Sequence, residues 1–240
     1  MKRVTICKVP VDAVSRAEAL ERCREFLYDG KQHRVATINP EFIVEAQNNS
    51  EFRKTLQKSD LALADGIGVS FAARHLHGLG IERIPGVDFL FDLCELAAKE
   101  HATVFFLGGR GGVARRTAEL LRERIPNLQV GGWNEEVEKI TNIDADILFV
   151  ALGSPKQELW IVQNLAKLPR VKIAMGVGGA FDIISGKIKR APLILRTLGL
   201  EWLWRFIKEP WRLGRICKAV FLFSSLILKE KSRGMNSSAG

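Results

Sequence analysis

Leu61-Ala-Leu-Ala-Asp65-Gly66-Ile67-Gly68 decides how the rest of the chain is read. Four small or apolar residues in a row describe a buried strand. The strand ends on a carboxylate, and glycines follow at once. In an open α/β sheet a ligand sits outside the carboxyl ends of the strands. An acid placed there, beside glycines that let a substrate approach closely, is a candidate general base. Asp65 also suits a plainer job, capping the helix that follows.

Outward from this stretch, strand and helix patterns alternate. Residues 4–7 read as an edge strand. Ser15 and Glu18 have capping-box spacing, and Leu20, Cys23 and Leu27 follow at helical intervals until Gly30 stops the helix. A strand at 34–38 runs into Asn39-Pro40, an N-cap with proline at the first helical position. Further strands are expected at 61–64, 103–107, 128–130, 146–152 and 171–177. Helices are expected at 51–58, from about 69, at 87–99, from the 108–112 loop to 124, and after Gln157, with a short acidic helix near Glu135. The alternation predicts an α/β fold, an open and mainly parallel sheet with helices on both faces.

After Pro192 no strand candidate remains. Helices are expected at 193–208 and 211–229, with Trp202, Trp204 and Trp211 interleaved among Arg205, Arg212 and Arg215. The reading divides the chain into an α/β body at 1–190, a basic amphipathic helical appendage at 191–231 and a frayed tail at 232–240. Charge follows the same division. The net charge is +9, and residues from Lys187 onward carry twelve Lys/Arg against three acids, which is the whole excess. A neutral body with a basic end-piece points to an anionic partner, a lipid surface or a diphosphate. The bland alternative is a helical face packed on the body with its arginines snorkelling to water.

Composition excludes several classes. Hydrophobic content of 47% and charged content of 26% describe a globular chain rather than a disordered one. The four cysteines are scattered with no CxxC pair, so they are expected as reduced thiols in a cytosolic protein. The four histidines show no ligand spacing, and no Asp-x-Asp pair sits at a strand end, so no metal site is expected. No signal peptide is expected from the first residues. The longest apolar tract, 219–228, is about half of the roughly 20 residues that a spanning helix needs. No DNA or RNA module is recognisable, so no nucleic-acid partner is expected.

The chemistry is expected on five loops at strand carboxyl ends: 37–39, 65–68, 108–112, 153–157 and 176–179. Gly66, Gly68, Gly108, Gly109, Gly153, Gly178 and Gly179 offer bare backbone N–H groups of the kind that hold phosphate, and Pro155 and Lys156 share the turn with Gly153. Together these loops point to a nucleotide diphosphate. Gly109-x-Gly111-x-x-Ala114 has the form of a dinucleotide fingerprint but lacks an acid at a strand end about 20 residues on. An NAD-dependent dehydrogenase therefore stays as an alternative, beside a non-catalytic nucleotide-binding protein. Ser154-Pro-Lys-Gln157 has capping-box spacing, so Gln157 also has a purely structural reading.

An ordered set of segments carries a resemblance. It comprises Thr37-Ile-Asn39-Pro-Glu, Ala64-Asp65-Gly66-Ile-Gly68, Glu82-Arg83-Ile-Pro-Gly86-Val-Asp88, Phe106-Leu-Gly108-Gly and Ala151-Leu-Gly153-Ser-Pro-Lys-Gln157-Glu158. It continues with Gly176-Val-Gly-Gly179-Ala-Phe181-Asp182, Gly186-Lys-Ile-Lys-Arg190-Ala-Pro192, and Gly199-Leu-Glu201-Trp202 through Trp211-Arg212. The chain resembles the WecG/TagA/CpsF glycosyltransferases over about residues 4–223. The resemblance implies a Rossmann-like sheet and an inverting, metal-independent transferase with no cofactor. Its donor would be a UDP-sugar, often of the N-acetylmannosamine type. Its acceptor would be an undecaprenyl-diphosphate-linked sugar at the inner face of the cytoplasmic membrane. The product would serve cell-wall or surface polysaccharide, teichoic acid included. It further implies that Asp65 is the general base, and that Thr37, Asn39, Arg83 and Gln157 line the pocket. The C-terminal segment would bind the membrane and close over the donor, Arg205, Arg212 and Arg215 reaching the diphosphate. Self-association into a homo-oligomer is implied by analogy.

Overall fold

The structure is a computed structural model that describes residues 1–140, 142–197, 199, 201, 203–204 and 213–237. Arg205, Arg212, Trp202 and Trp211 lie outside the described residues, and so does the side chain of Arg215.

The chain opens with a hairpin of β1 (Lys2–Ile6) and β2 (Val9–Ala13), paired antiparallel. Its turn residues Cys7 and Lys8 have φ of 47° and 68°, the positive values a two-residue hairpin turn requires. The sequence reading finds only the first of these strands; the second carries Pro10, a residue uncommon inside strands. A separate two-stranded ribbon has unpaired edges where a proline loses no ladder bond. The helix α1 (Arg16–Tyr28) then begins on the expected Ser15–Glu18 capping box.

Next come β3 (His33–Ile38), α2 (Pro40–Asn48), α3 (Ser50–Gln57), β4 (Leu61–Ala64), α4 (Ile67–His77) and α5 (Gly86–Lys99). They are followed by β5 (Thr103–Gly108), α6 (Val113–Arg124), β6 (Gln129–Asn134) and β7 (Ile147–Ala151). The described chain ends with α7 (Lys156–Asn164), β8 (Ile173–Gly176), α8 (Ala180–Ile184), α9 (Leu193–Thr197) and α10 (Leu213–Ser237). The expected short acidic helix is a 3₁₀ turn at Val137–Lys139. α10 runs past Lys229, where the sequence pattern ends it.

Six strands make one sheet in the order β4-β3-β8-β7-β5-β6, and every pair in it is parallel. Both faces are covered. In β4, Leu61 and Leu63 join the core that holds α1, α5 and α6, while Ala62 and Ala64 face the core of α2, α3 and α4. The strand's four apolar residues thus divide two and two by the alternation of side chains along a strand. A third cluster packs Leu107, Leu148 and Val150 under Ile161 of α7. The hairpin is pinned to β4 by Asp12, which accepts from Arg3 Nε at 2.6 Å, Arg3 Nη2 at 2.8 Å and the Ala62 N–H at 2.8 Å.

α10 belongs to the same packing. Phe223 and Ile227 are buried among Phe42 and Ile43 of α2 and Val69 and Ala72 of α4. Glu230 Oε2 accepts the Cys7 N–H at 2.7 Å, and Lys231 Nζ donates to the His75 carbonyl at 2.8 Å. Among the described residues no helix is long and apolar enough to cross a membrane.

Candidate active site

Four neighbouring strands, β4, β3, β8 and β7, end side by side, and the loops that leave them enclose a cavity of about 630 Å³. That volume is within the range of small-molecule sites. Thr37 and Asn39 come from the end of β3, Asp65 and Gly66 from β4, Gly153 and Gln157 from β7, and Gly178 and Gly179 from β8. Arg83 and Gly86 close one side, and Ala219, Val220 and Phe223 of α10 close another.

Asp65 is held by its backbone, whose N–H donates to the Ile38 carbonyl at 2.8 Å. The N-cap of α4 is Gly66, with no side-chain cap bond, so Asp65 is not the cap that its sequence position also suggests. Gly66 has φ of 137°, which a residue with a side chain adopts only under strain. The 83–86 loop is stitched to the end of β4 by Ile84 N–H on the Ala64 carbonyl at 2.8 Å. This brings Gly86 so near that a Cβ there would stand 3.5 Å from Asp65 Oδ2 and 3.4 Å from Thr37 Oγ1. Asp65 and the buried Thr37 therefore share one point of the cavity wall.

The other expected residues have structural duties besides lining the cavity. Asn39 caps α2, its Oδ1 accepting the Phe42 N–H at 3.0 Å. Arg83 donates to Glu201 Oε2 at 3.2 Å and to the Arg196 carbonyl at 2.6 Å, which ties α9 and Glu201 beyond it to the cavity rim. Arg190 forks onto Asp88 with both bonds at 2.7 Å and reaches Glu201 Oε1 at 3.3 Å. Burial raises the Asp88 carboxyl, but the hydrogen bonds and charge of Arg190 outweigh it and hold Asp88 below the usual aspartate range.

Gln157 forms no capping box with Ser154. The N-cap of α7 is Pro155, and no side-chain bond caps it. Gln157 is buried, and its Oε1 accepts the N–H groups of Gly153 at 3.1 Å and Gly178 at 2.9 Å. Its Nε2 donates to Glu158 Oε1 at 2.6 Å. Burial pushes the Glu158 carboxyl up to about 7 despite that hydrogen bond.

Not every expected residue converges. Gly68 lines the cavity, whereas Gly108, Gly109, Pro155 and Lys156 do not. β5 is one strand beyond β7 in the sheet, and Gly108 and Gly109 of its loop are not part of the cavity wall. The glycines of that loop answer to packing. A Cβ on Gly108 would lie 2.7 Å from the Ala151 carbonyl oxygen, and one on Gly109 would lie 2.4 Å from Val113 Cγ2. The Gly112 N–H is also taken, by Glu135 Oε1 at 2.7 Å. A carboxylate thus stands where the dinucleotide reading needs a pyrophosphate.

Sequence reasoning assigns no role to Glu41, Asp88, Glu158, Arg190, Glu201 or Phe223. Arg190 and Asp88 meet across 102 positions, a pairing with no local signature. Among the described residues no group of three or more His, Cys, Asp or Glu side chains is gathered as a metal would require.

With this geometry in view, comparison with known proteins identifies the lineage. The chain matches the Glycosyl transferase WecG/TagA/CpsF family over residues 4–237. It is 30% identical over 241 residues to an N-acetylglucosaminyldiphosphoundecaprenol N-acetyl-beta-D-mannosaminyltransferase of Staphylococcus aureus (strain MRSA252), covering 96% of this chain and 94% of the relative. It is 31% identical over 205 residues to the protein of the same name in Bacillus subtilis (strain 168), covering 82% and 79%. The chain belongs to the WecG/TagA/CpsF glycosyltransferase family.

Proposed function

We propose that this family member is an inverting glycosyltransferase. It moves a sugar of the N-acetylmannosamine type from a UDP donor to the hydroxyl of an undecaprenyl-diphosphate-linked sugar in surface-polymer synthesis. The observation that carries the reading is Asp65 at the carboxyl end of β4, beside Thr37, inside the cavity that four strand ends share. In an inverting transfer the acceptor oxygen attacks the anomeric carbon from the face opposite the phosphate. Asp65 takes the proton of that hydroxyl as the new bond forms. The old C–O bond breaks, and its electron pair leaves with UDP. The leaving diphosphate needs donors or positive charge as its own charge develops. Arg83 and Arg190 line the cavity and can serve there, with Arg205, Arg212 and Arg215 assigned to the same task from the sequence.

The membrane part of the proposal rests on α10. Its Ala219 and Phe223 face inward, while Phe221 and Leu228 stay exposed beside Lys229. An apolar face flanked by basic residues suits the headgroup boundary of an anionic bilayer. The proposal places the protein peripherally on the inner face of the cytoplasmic membrane, where it meets its lipid-linked acceptor.

The test is UDP release from a panel of UDP-sugars, with polyprenyl-diphosphate-N-acetylglucosamine in anionic vesicles as acceptor, with and without EDTA. The expected result is acceptor-dependent release from one donor, N-acetylmannosamine first among them, and its persistence in EDTA. Tight UDP binding with no release from any donor would favour a non-catalytic binding protein instead.

A further inference from the structure

The Gln157 amide sits beneath two of the turns that face the cavity. Its Oε1 receives Gly153 N–H from the turn after β7 and Gly178 N–H from the turn after β8. These turns bring Ser154 and Gly179 into the cavity wall. The two ends of an amide are not equivalent, since the oxygen accepts and the nitrogen only donates. Turned over, Gln157 would set its NH₂ group against two N–H donors and lose both bonds.

Glu158 fixes the end that is nitrogen. Its Oε1 accepts from Gln157 Nε2 at 2.6 Å, in an enclosure where Glu158 is only 6% exposed. Oε1 remains an acceptor whether or not Oε2 carries a proton. The second oxygen, Oε2, is buried without a hydrogen-bond partner. A buried acid satisfied on one side only is costly, and an apolar residue of the same length would fill the space more cheaply. The backbone makes room for the pair at Gly176, where a Cβ would fall 2.6 Å from both Gln157 Nε2 and Glu158 Oε1.

We propose that Glu158 is a positioning residue: by orienting the Gln157 amide it sets the spacing of the two turns whose Ser154 and Gly179 line the donor cavity. This rests on the UDP-donor reading above. Glu158 touches no substrate itself and acts through Gln157.

The experiment compares Glu158→Met, which keeps length but removes the acceptor, with Glu158→Gln, which retains an acceptor oxygen. In Glu158→Met the amide hydrogens of Gly153 and Gly178 exchange about tenfold faster, as expected when one buried hydrogen bond is lost. The donor KM and the UDP dissociation constant rise by about the same factor, while kcat changes by less than about threefold. Glu158→Gln restores exchange and affinity to within about twofold of wild type. A variant damaged only in stability would melt earlier yet leave exchange at these two glycines no faster than elsewhere. Should Glu158→Met fail to fold, Glu158→Asp withdraws the acceptor by one methylene and gives the same readout. Wild-type exchange at both glycines in Glu158→Met, with UDP bound normally, would overturn the assignment to Glu158 alone. Wild-type protein that bound no UDP would overturn the donor reading, and this inference with it, whatever the exchange showed.

Discussion

Replacing Asp65 by Asn is expected to cut turnover about a thousandfold while UDP affinity stays within about twofold of wild type. Asn keeps the shape of the side chain but removes its charge and with it the capacity to take a proton. The backbone around it is set independently, by the Asp65 N–H on Ile38 and by Ile84 N–H on Ala64. The N-cap of α4 is Gly66, and no side-chain bond caps that helix. The loss should therefore fall on kcat and leave donor binding in place. Steady-state UDP release and a calorimetric UDP titration measure the two quantities. Unchanged turnover would remove Asp65 as the base. Glu41, another carboxylate lining the cavity, would then be the next residue to test.

Replacing Asp12 by Ala is expected to cost about 3 kcal/mol of folding stability, the lower end for a broken buried ion pair. Asp12 is fully buried and satisfies three donors, two on Arg3 and the backbone N–H of Ala62. Without the carboxylate the Ala62 N–H has no partner inside the core, which alone is costly. Arg3 suffers less. Its side chain is 34% exposed, and it keeps bonds to the Ser59 carbonyl at 3.0 Å and the Asp60 carbonyl at 3.1 Å. Water recovers part of its charge, which is why the lower end is chosen. Urea unfolding measures the loss. A shift below about 0.5 kcal/mol, the size of an ordinary surface change, would show that Asp12 does not anchor the hairpin to β4.

Both residues bear on what was legible in the sequence. The alternation of elements gives the parallel sheet, because fully buried strands read as short apolar runs and loops with glycine mark their ends. Asp65 was legible for the same reason, as an acid at a strand's carboxyl end. The order of the strands was not. Nothing local says that β8 inserts between β3 and β7, yet that insertion gathers the four loops of the site and leaves the β5 loop outside. The Gly108–Gly112 run therefore lies outside the cavity lining. A loop whose glycines make room for Ala151 and Val113 has the same sequence as one that makes room for phosphate.

Gln157 enters as a pocket residue through the resemblance alone, and its local reading differs from what holds it. Its spacing from Ser154 suggests a capping box, whereas its oxygen joins two turns whose glycines are 25 positions apart, a relation visible only in the fold. The charge division near residue 190 was legible, but the place of α10 was not. Phe223 and Ile227 complete the core over α2 and α4 and close one side of the cavity. The Glu201 bonds to Arg83 and Arg190 also tie the chain beyond residue 190 to the rim.

The central claim is a single displacement at the anomeric carbon with Asp65 as the base, and the configuration of the product tests it most directly. Transfer from a donor whose sugar–phosphate bond is α should yield a β-linked product, read from the one-bond C1–H1 coupling in the NMR spectrum of the purified glycolipid. An α-linked product would contradict the account, since retention requires either a second displacement or attack on the face that the leaving group occupies.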